Sequence, residues 1–202
     1  MGTRERRQRE AETRRREILN AARELFWKSG YAATTMPQIA AAAELAPGTL
    51  YLYFPGKDAL YAELLHEGYD RLQERLEAAV RAGRSARDRA ARLIDEFFDF
   101  ARKNPEYFDI IFFLLQSAGT GGRKAALPAA ELRRFEARVQ ECTALASSVL
   151  REVCPGLSGK QLACRVDAVW SMITGAVFYF RGDRRFDDVA AETRRIILAG
   201  LA

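Results

Sequence analysis

Histidine is almost absent from this 202-residue chain, where His66 stands alone. With three scattered cysteines (Cys142, Cys154 and Cys164) there is neither zinc-site spacing nor a Ser-His-Asp set. The cysteines form no C-x-x-C pair and are odd in number. They read as packed thiols of a cytoplasmic protein, not as a disulfide framework. β-branched residues are sparse, strict alternation is missing and no Asn-Gly or Asp-Gly turn occurs, so no sheet is expected. Gly119-x-Gly121-Gly122 lacks a following Lys-Ser/Thr and a preceding strand, so it is no phosphate cradle. The expectation is therefore a chain without catalytic residues, metal or cofactor. The apolar run Ala168 to Phe180 covers 13 residues, short of the ~20 that a spanning helix needs. Charge begins at Arg4, where a secretory signal would be apolar. No membrane partner is expected.

What is present is an ordinary globular composition, 49% apolar and 29% charged, with an uneven distribution of charge. The net charge is +5. Residues 1–57 hold ten Lys/Arg against six Asp/Glu, a balance of +4, and the remaining residues hold 22 against 21. The excess positive charge thus gathers in the first quarter of the chain, which points to a polyanion meeting that end.

Apolar spacing predicts helices throughout. Ile18, Ala21, Ala22, Leu25 and Phe26 recur at helical intervals between Glu12 and Ser29, and Gly30 closes the segment. Two very short helices follow, about Met36–Ala43 and Pro47–Tyr53. Longer ones are predicted at Lys57–Arg81, Ser85–Lys103, Pro128–Val153, Ser158–Phe180 and Phe186–Ala199, with a further helix opened by Asn104-Pro105. Three helices in the first 53 residues, the last two short and joined tightly, match a helix-turn-helix. Thr35-x-x-Gln38 is a capping-box pattern, and Pro37 and Pro47 lie in first turns where no donor is lost. A helix as short as Pro47–Tyr53 has to be held from behind, and Leu50 and Phe54 are placed to do so. Thr49, Tyr51 and Tyr53 then point outward, as suits entry to a major groove, while Gly48 permits close approach and Lys57 adds a cation at a helix N-terminus.

The stretch Arg16-Glu-Ile-Leu-Asn-Ala-Ala-Arg-Glu-Leu-Phe26, with Gly30-Tyr31, Thr34-Thr35, Ile39-Ala40, Thr49-Leu-Tyr51, Tyr53-Phe54 and Lys57, closely resembles the DNA-binding region of the TetR family of bacterial transcriptional regulators. The resemblance covers residues 14–65. It implies that Thr35 meets a phosphate, that Pro47, Gly48, Thr49 and Tyr51 face the groove, and that Tyr53 and Lys57 hold the DNA backbone. Two positions depart from the family pattern. Glu44 stands where a turn glycine is usual, and a left-handed backbone there would cost of order 1 kcal/mol. Ala46 stands where a serine commonly caps the recognition helix, forgoing ~1 kcal/mol. The arm before Arg16, with Arg4, Arg6, Arg7, Arg9 and Arg14, reads either as a DNA contact or as a solvated tail, since Glu5, Glu10 and Glu12 intersperse it.

Beyond this region the chain shows the all-helical character that the resemblance implies for a ligand-binding and dimerisation domain. Aromatic residues crowd between Phe97 and Phe113. They read as core or as an apolar ligand cavity, for which Phe97, Phe100, Tyr107, Phe108, Ile111, Phe112, Leu115 and Trp170 are the candidate lining. Asp95, Asp99, Asp109 and Gln116 are polar candidates nearby. His66 reads as a partly exposed helical residue. The helix around Ala168–Phe180 is apolar on every side and requires cover, most simply by a second copy. The candidate dimer face is Val139, Cys142, Ala146 and Val149 with Val166, Val169, Ile173, Val177 and Phe180.

The expectation is an all-α chain with a helix-turn-helix domain at 1–56, including a basic arm at 1–13, and a helical domain at 57–202. As a homodimer it would bind double-stranded palindromic operator DNA, probed in two successive grooves, and a small apolar or aromatic effector would release it. An activator, or a regulator controlled by a protein partner, remains open, as does more remotely a helical enzyme.

Overall fold

A computed structural model describes residues 2–110 and 129–201. Among the described residues every regular element is helical: α1 (Thr3–Ala33), α2 (Met36–Ala42), α3 (Pro47–Tyr53), α4 (Lys57–Arg81), α5 (Ala86–Lys103), α6 (described over 105–110), α7 (Ala129–Val153), α8 (Gly159–Phe180) and α9 (Phe186–Ala199). The boundaries follow the local signals. Ser85 and Ser158 accept backbone N–H bonds at the starts of α5 and α8, and Arg102 and Lys103 lie in the last turn of α5, where cations suit the dipole. α1 departs from the expectation. It starts at Thr3 and runs on through a break at Gly30, whose φ of 79° favours glycine, so the basic arm is helical.

The described residues form two compact units: Met1–Gly68 with Glu106–Arg133, and Tyr69–Pro105 with Arg134–Ala202. α4 contributes its first half to one and its second half to the other. In the first unit Ile18, Ala22, Ile39, Leu50, Leu60 and Leu64 are fully buried. A Cβ at Gly68 of α4 would lie 2.9 Å from Cδ1 of Tyr107 on α6, so this crossing requires the missing side chain. Tyr107 also accepts a bond from the Arg23 guanidinium at 2.6 Å.

In the second unit α5, α8 and α9 pack mutually. Leu93, Ile94, Phe97 and Phe100 of α5 turn inward as their spacing predicts. Phe98 meets Phe186 of α9 edge-on, with centroids 6.1 Å apart. Each such buried side chain contributes roughly 1.5–3 kcal/mol. Cys142 is buried and donates to the Gln73 amide oxygen at 2.9 Å. Burial, then the charge of Glu141, pushes its thiol up to about 12, leaving it protonated at neutral pH. Cys154 is half-buried, whereas Cys164 is exposed rather than packed as expected.

Candidate nucleic-acid interface

The interface is assembled from local rules in residues 34–57. Thr35 caps α2: its hydroxyl accepts the Gln38 N–H, and the Gln38 side-chain oxygen accepts from the Thr35 backbone N–H at 2.8 Å. α2 then ends in a Schellman turn. Leu45 N–H donates to Ala40 O at 2.8 Å, Glu44 N–H donates to Ala41 O at 3.1 Å, and Glu44 sits left-handed at φ 55°. The strained conformation expected at Glu44 is therefore present. α3 begins with Ala46 as an N-cap that makes no side-chain bond, as its residue type dictates, and with Pro47 in the first turn.

Seven residues do not sustain a helix alone, and α3 is held from outside. Leu50 and Phe54 are buried beneath it, as predicted. Arg15 of α1 supplies a clamp that sequence reasoning missed. Its guanidinium donates to the Tyr53 carbonyl at 3.3 Å and to Glu63 at 2.9 Å, and lies 4.3 Å from the Phe54 ring centroid. The cation–π contact adds ~0.5–1 kcal/mol at a part-exposed site. No spacing signal marks Arg15, because its partners are 38 and 48 residues away.

The outward side of α3 carries Pro47, Gly48 and Tyr51, all exposed, with Thr49 and Tyr53 half-buried. Tyr51 is 52% exposed and Leu52, which the sequence did not single out, 85%. Thr35 and Lys57 are placed differently from the rest. The Thr35 hydroxyl donates to Gln38 Oε1 at 2.8 Å, within its own capping box. Lys57 Nζ donates to the carbonyls of Tyr31 (2.7 Å) and Thr34 (2.9 Å) and sits 4.3 Å from the Tyr31 ring centroid. Thr34 is itself buried and donates to Gly30 O at 2.8 Å, so Lys57 and Thr34 together fasten the bend between α1 and α2. On the helical arm, Arg6 pairs with Glu10 and Arg14 with Glu17. Arg4, Arg7 and Arg9 are exposed.

The residues suggested for a ligand cavity are divided between the units. In the second, Phe97 and Phe100 are buried, and Phe97 meets the half-buried Trp170 edge-on at 5.1 Å. In the first, Tyr107 and Phe108 are buried. Ile111, Phe112, Leu115 and Gln116 lie outside the described residues. The acids Asp95 and Asp99 are ion-paired, Asp95 with Arg194 at 2.7 Å and Asp99 with Arg75 at 2.6 Å and Lys103 at 2.9 Å. Burial pushes the Asp99 carboxyl up, but the bonds and charges of Lys103 and Arg75 outweigh it and hold it below the usual range.

His66 differs from its expected exposure. It is buried, its Nε2 lies 2.8 Å from Glu131 Oε2, and its Nδ1 has no partner. Glu131 lies too far along the chain for spacing to reveal the pair.

The residues suggested as a dimer face are mostly turned into the protomer. Cys142, Val149, Val166, Ile173 and Val177 are buried, while Val139, Ala146, Val169 and Phe180 are half-buried. α8 leaves another face open, along Cys164, Ala168, Met172 and Tyr179, with open space above Gly175. Tyr179 is 75% exposed, and Phe178 beside it 47%. The periodicity of an all-apolar helix did not reveal which side α5 and α9 would cover.

Among the described residues no helix is long and apolar enough to cross a membrane, and no group of three or more His, Cys, Asp or Glu side chains is placed to hold a metal.

Residues 18–64 match the family model for bacterial regulatory proteins of the tetR family. The transcriptional activator FasR of Mycolicibacterium smegmatis is 33% identical over 99 residues, 49% of this chain and 45% of that protein. The transcriptional repressor KstR of the same organism is 34% identical over 92 residues, 46% and 45% of the two chains. The matched region thus spans about half the length of these curated relatives. Among solved structures, a tetR-family regulatory protein from Rhodococcus RHA1 superposes with a TM-score of 0.77, covering 94% of this chain and 97% of that one at 19% identity. The fatty acid degradation regulator FadR of Bacillus halodurans gives 0.73, with 93% and 96% covered at 18% identity. At these identities the likeness is one of fold.

Proposed function

From the premise that this chain belongs to the TetR family of bacterial regulatory proteins, we propose that it is a cytoplasmic transcriptional regulator that reads a palindromic operator as a homodimer. The observation that carries this reading is α3: a helix too short to stand alone, buried behind at Leu50 and Phe54, presenting Thr49, Tyr51 and Leu52 outward. Such a helix fits a major groove, where hydroxyls reach phosphates or base edges and an apolar side chain meets a thymine methyl. Pro47 and Gly48 let the backbone approach, and Tyr53 flanks the groove. Thr35 and Lys57 act first as braces, and the remaining Lys57 N–H is the one that reaches a phosphate.

The dimer in this reading forms through the open α8 stripe rather than through its buried seam. A two-fold axis there sets two recognition helices about 34 Å apart, one per half-site. A small apolar or aromatic effector binds the helical second unit, among side chains such as Phe97 and Trp170. Because α4 is continuous through both units, it carries the resulting bias toward α3. Full release, from 1:99 to 99:1, requires the effector to prefer the released state by about 5.5 kcal/mol. The relatives are transcriptional regulators, and no catalytic step is assigned to this chain.

Regulators of this kind carry either sign, FasR being an activator and KstR a repressor. We read this chain as a repressor. Selection of bound fragments from a random double-stranded library tests the reading. Enrichment of an inverted repeat by a sedimenting dimer is the expected result. Monomers, or no symmetric site, would overturn it. Footprints upstream of the promoter rather than over it would change the sign to activation.

A further inference from the structure

A cavity of about 220 Å³ opens within the first unit, between the end of α1, the first half of α4 and the described turn of α6. Three of its walls are aromatic: the Phe26, Tyr31 and Tyr61 centroids lie 5.0 to 5.9 Å apart, in tilted or edge-on pairs. Trp27, 48% exposed, adds a fourth ring open to solvent. The remaining polar lining is acidic. Glu106 and Asp109 are three residues apart on α6, so they share one side of the helix. The negative field is felt inside: burial first, then the charge of Asp109, pushes the Tyr61 hydroxyl well above its ordinary value. No cationic side chain lines the space. The nearby Lys57 ammonium is turned to the Tyr31 and Thr34 carbonyls.

Aromatic faces with carboxylates beside them attract organic cations, since the ring quadrupole and the acids act in the same direction. A neutral occupant would remove water from two carboxylates and give them no counter-charge. A hard metal ion wants six or more oxygens, which two carboxylates among rings do not provide. The volume lies below the ~300–1,000 Å³ of drug-sized pockets, so the occupant is compact. We propose that this cavity binds a small alkylammonium ion of choline size, its cation against the aromatic walls and neutralised by Glu106 and Asp109. All of its lining lies in the first unit, so it is separate from the effector site placed in the second, and its occupancy does not depend on DNA binding. It adjoins the Gly30 break, and an occupant there ties the end of α1 to α6.

Calorimetric titration of the full chain with choline chloride, and with its uncharged isostere 3,3-dimethyl-1-butanol, tests the assignment. Choline is expected to bind at least tenfold more tightly, an advantage of ~1.4 kcal/mol or more. Asp109→Asn and Glu106→Gln are each expected to weaken choline about tenfold and to leave the alcohol unchanged. In a Trp170→Phe background the remaining Trp27 fluorescence should respond to choline. Equal binding of the two compounds, no choline binding at millimolar concentration, or choline affinity indifferent to both substitutions would overturn the proposal. If one variant loses its helical signal, the other variant and the isostere comparison still decide.

Discussion

α3 and α8 both present aromatic side chains to solvent, and they do so by opposite means. α3 has seven residues, an alanine at its N-cap and almost no intrinsic stability, and it is held by Leu50, Phe54 and the Arg15 clamp. α8 has 22 residues and a complete capping box at Ser158 and Gln161, and it would keep much of its helicity by local interactions. In α3 the exposed side chains are presented by the packing behind them. In α8 they are what packing left over after Val166, Ile173 and Val177 were covered. An exposed face on a braced short helix is suited to a partner of fixed shape, such as a groove. An exposed apolar stripe on a stable long helix is suited to another helix.

The sharpest way to break this contrast is to remove the brace. Leu50→Ala deletes a fully buried side chain and should cost about 2–5 kcal/mol in chemical denaturation. Tyr51→Ala, one residue along, should leave stability within about 0.5 kcal/mol while weakening operator binding and altering its sequence preference. If the two behave alike, α3 is not held from behind as described. The corresponding change on α8 is Met172→Glu with Tyr179→Asp. It should leave thermal unfolding of the protomer nearly unchanged and weaken self-association by ~2 kcal/mol or more in sedimentation equilibrium. Unaltered association would remove the α8 stripe from the dimer proposal.

The same contrast explains what the sequence disclosed. The limits of α2, α3, α4 and α9 follow from caps, prolines and periodicity, all of which act within a few residues. The outward set on α3 was legible because Leu50 and Phe54 alone were apolar enough to be its back. On α8 no such asymmetry exists. Apolar residues surround it, and only the positions of α5 and α9 decide that Val166, Ile173 and Val177 turn inward while Tyr179 stays outside. Arg15–Glu63, Lys57 with its two carbonyls, and His66–Glu131 are contacts between distant residues, so spacing carried no trace of them.

Arg15 and Lys57 sharpen the comparison at smaller amplitude. Arg15→Ala removes a cation–π contact, a carbonyl bond and a part-exposed ion pair, together about 1–2 kcal/mol after solvent screening. It should accelerate amide exchange in α3 more than in α8. Lys57→Ala frees the bend at Tyr31–Thr34 and should act similarly on α2. A phosphate contact at Lys57 adds a second signature, since the salt slope of DNA binding would flatten by about one. A lowered affinity with an unchanged slope would leave Lys57 as a brace alone.

The smallest effect concerns Glu44. Its φ of 55° places a side chain where glycine is at ease, inside the Schellman turn that aims α3. Glu44→Gly relieves about 1 kcal/mol of backbone strain, partly offset by the greater freedom of glycine in the unfolded chain. The net gain should be under ~1 kcal/mol, and it should appear as slower amide exchange across residues 44–53 with none in α8. Ala46→Ser, which restores a cap to α3, should add to it. The strain belongs to a turn that α3 needs and α8 lacks, so relief confined to residues 44–53 shows α3 to be loosened locally before DNA binds. Equal protection in Glu44→Gly and the parent chain would show instead that the buried back of α3 already sets its mobility and that the left-handed residue is tolerated without consequence.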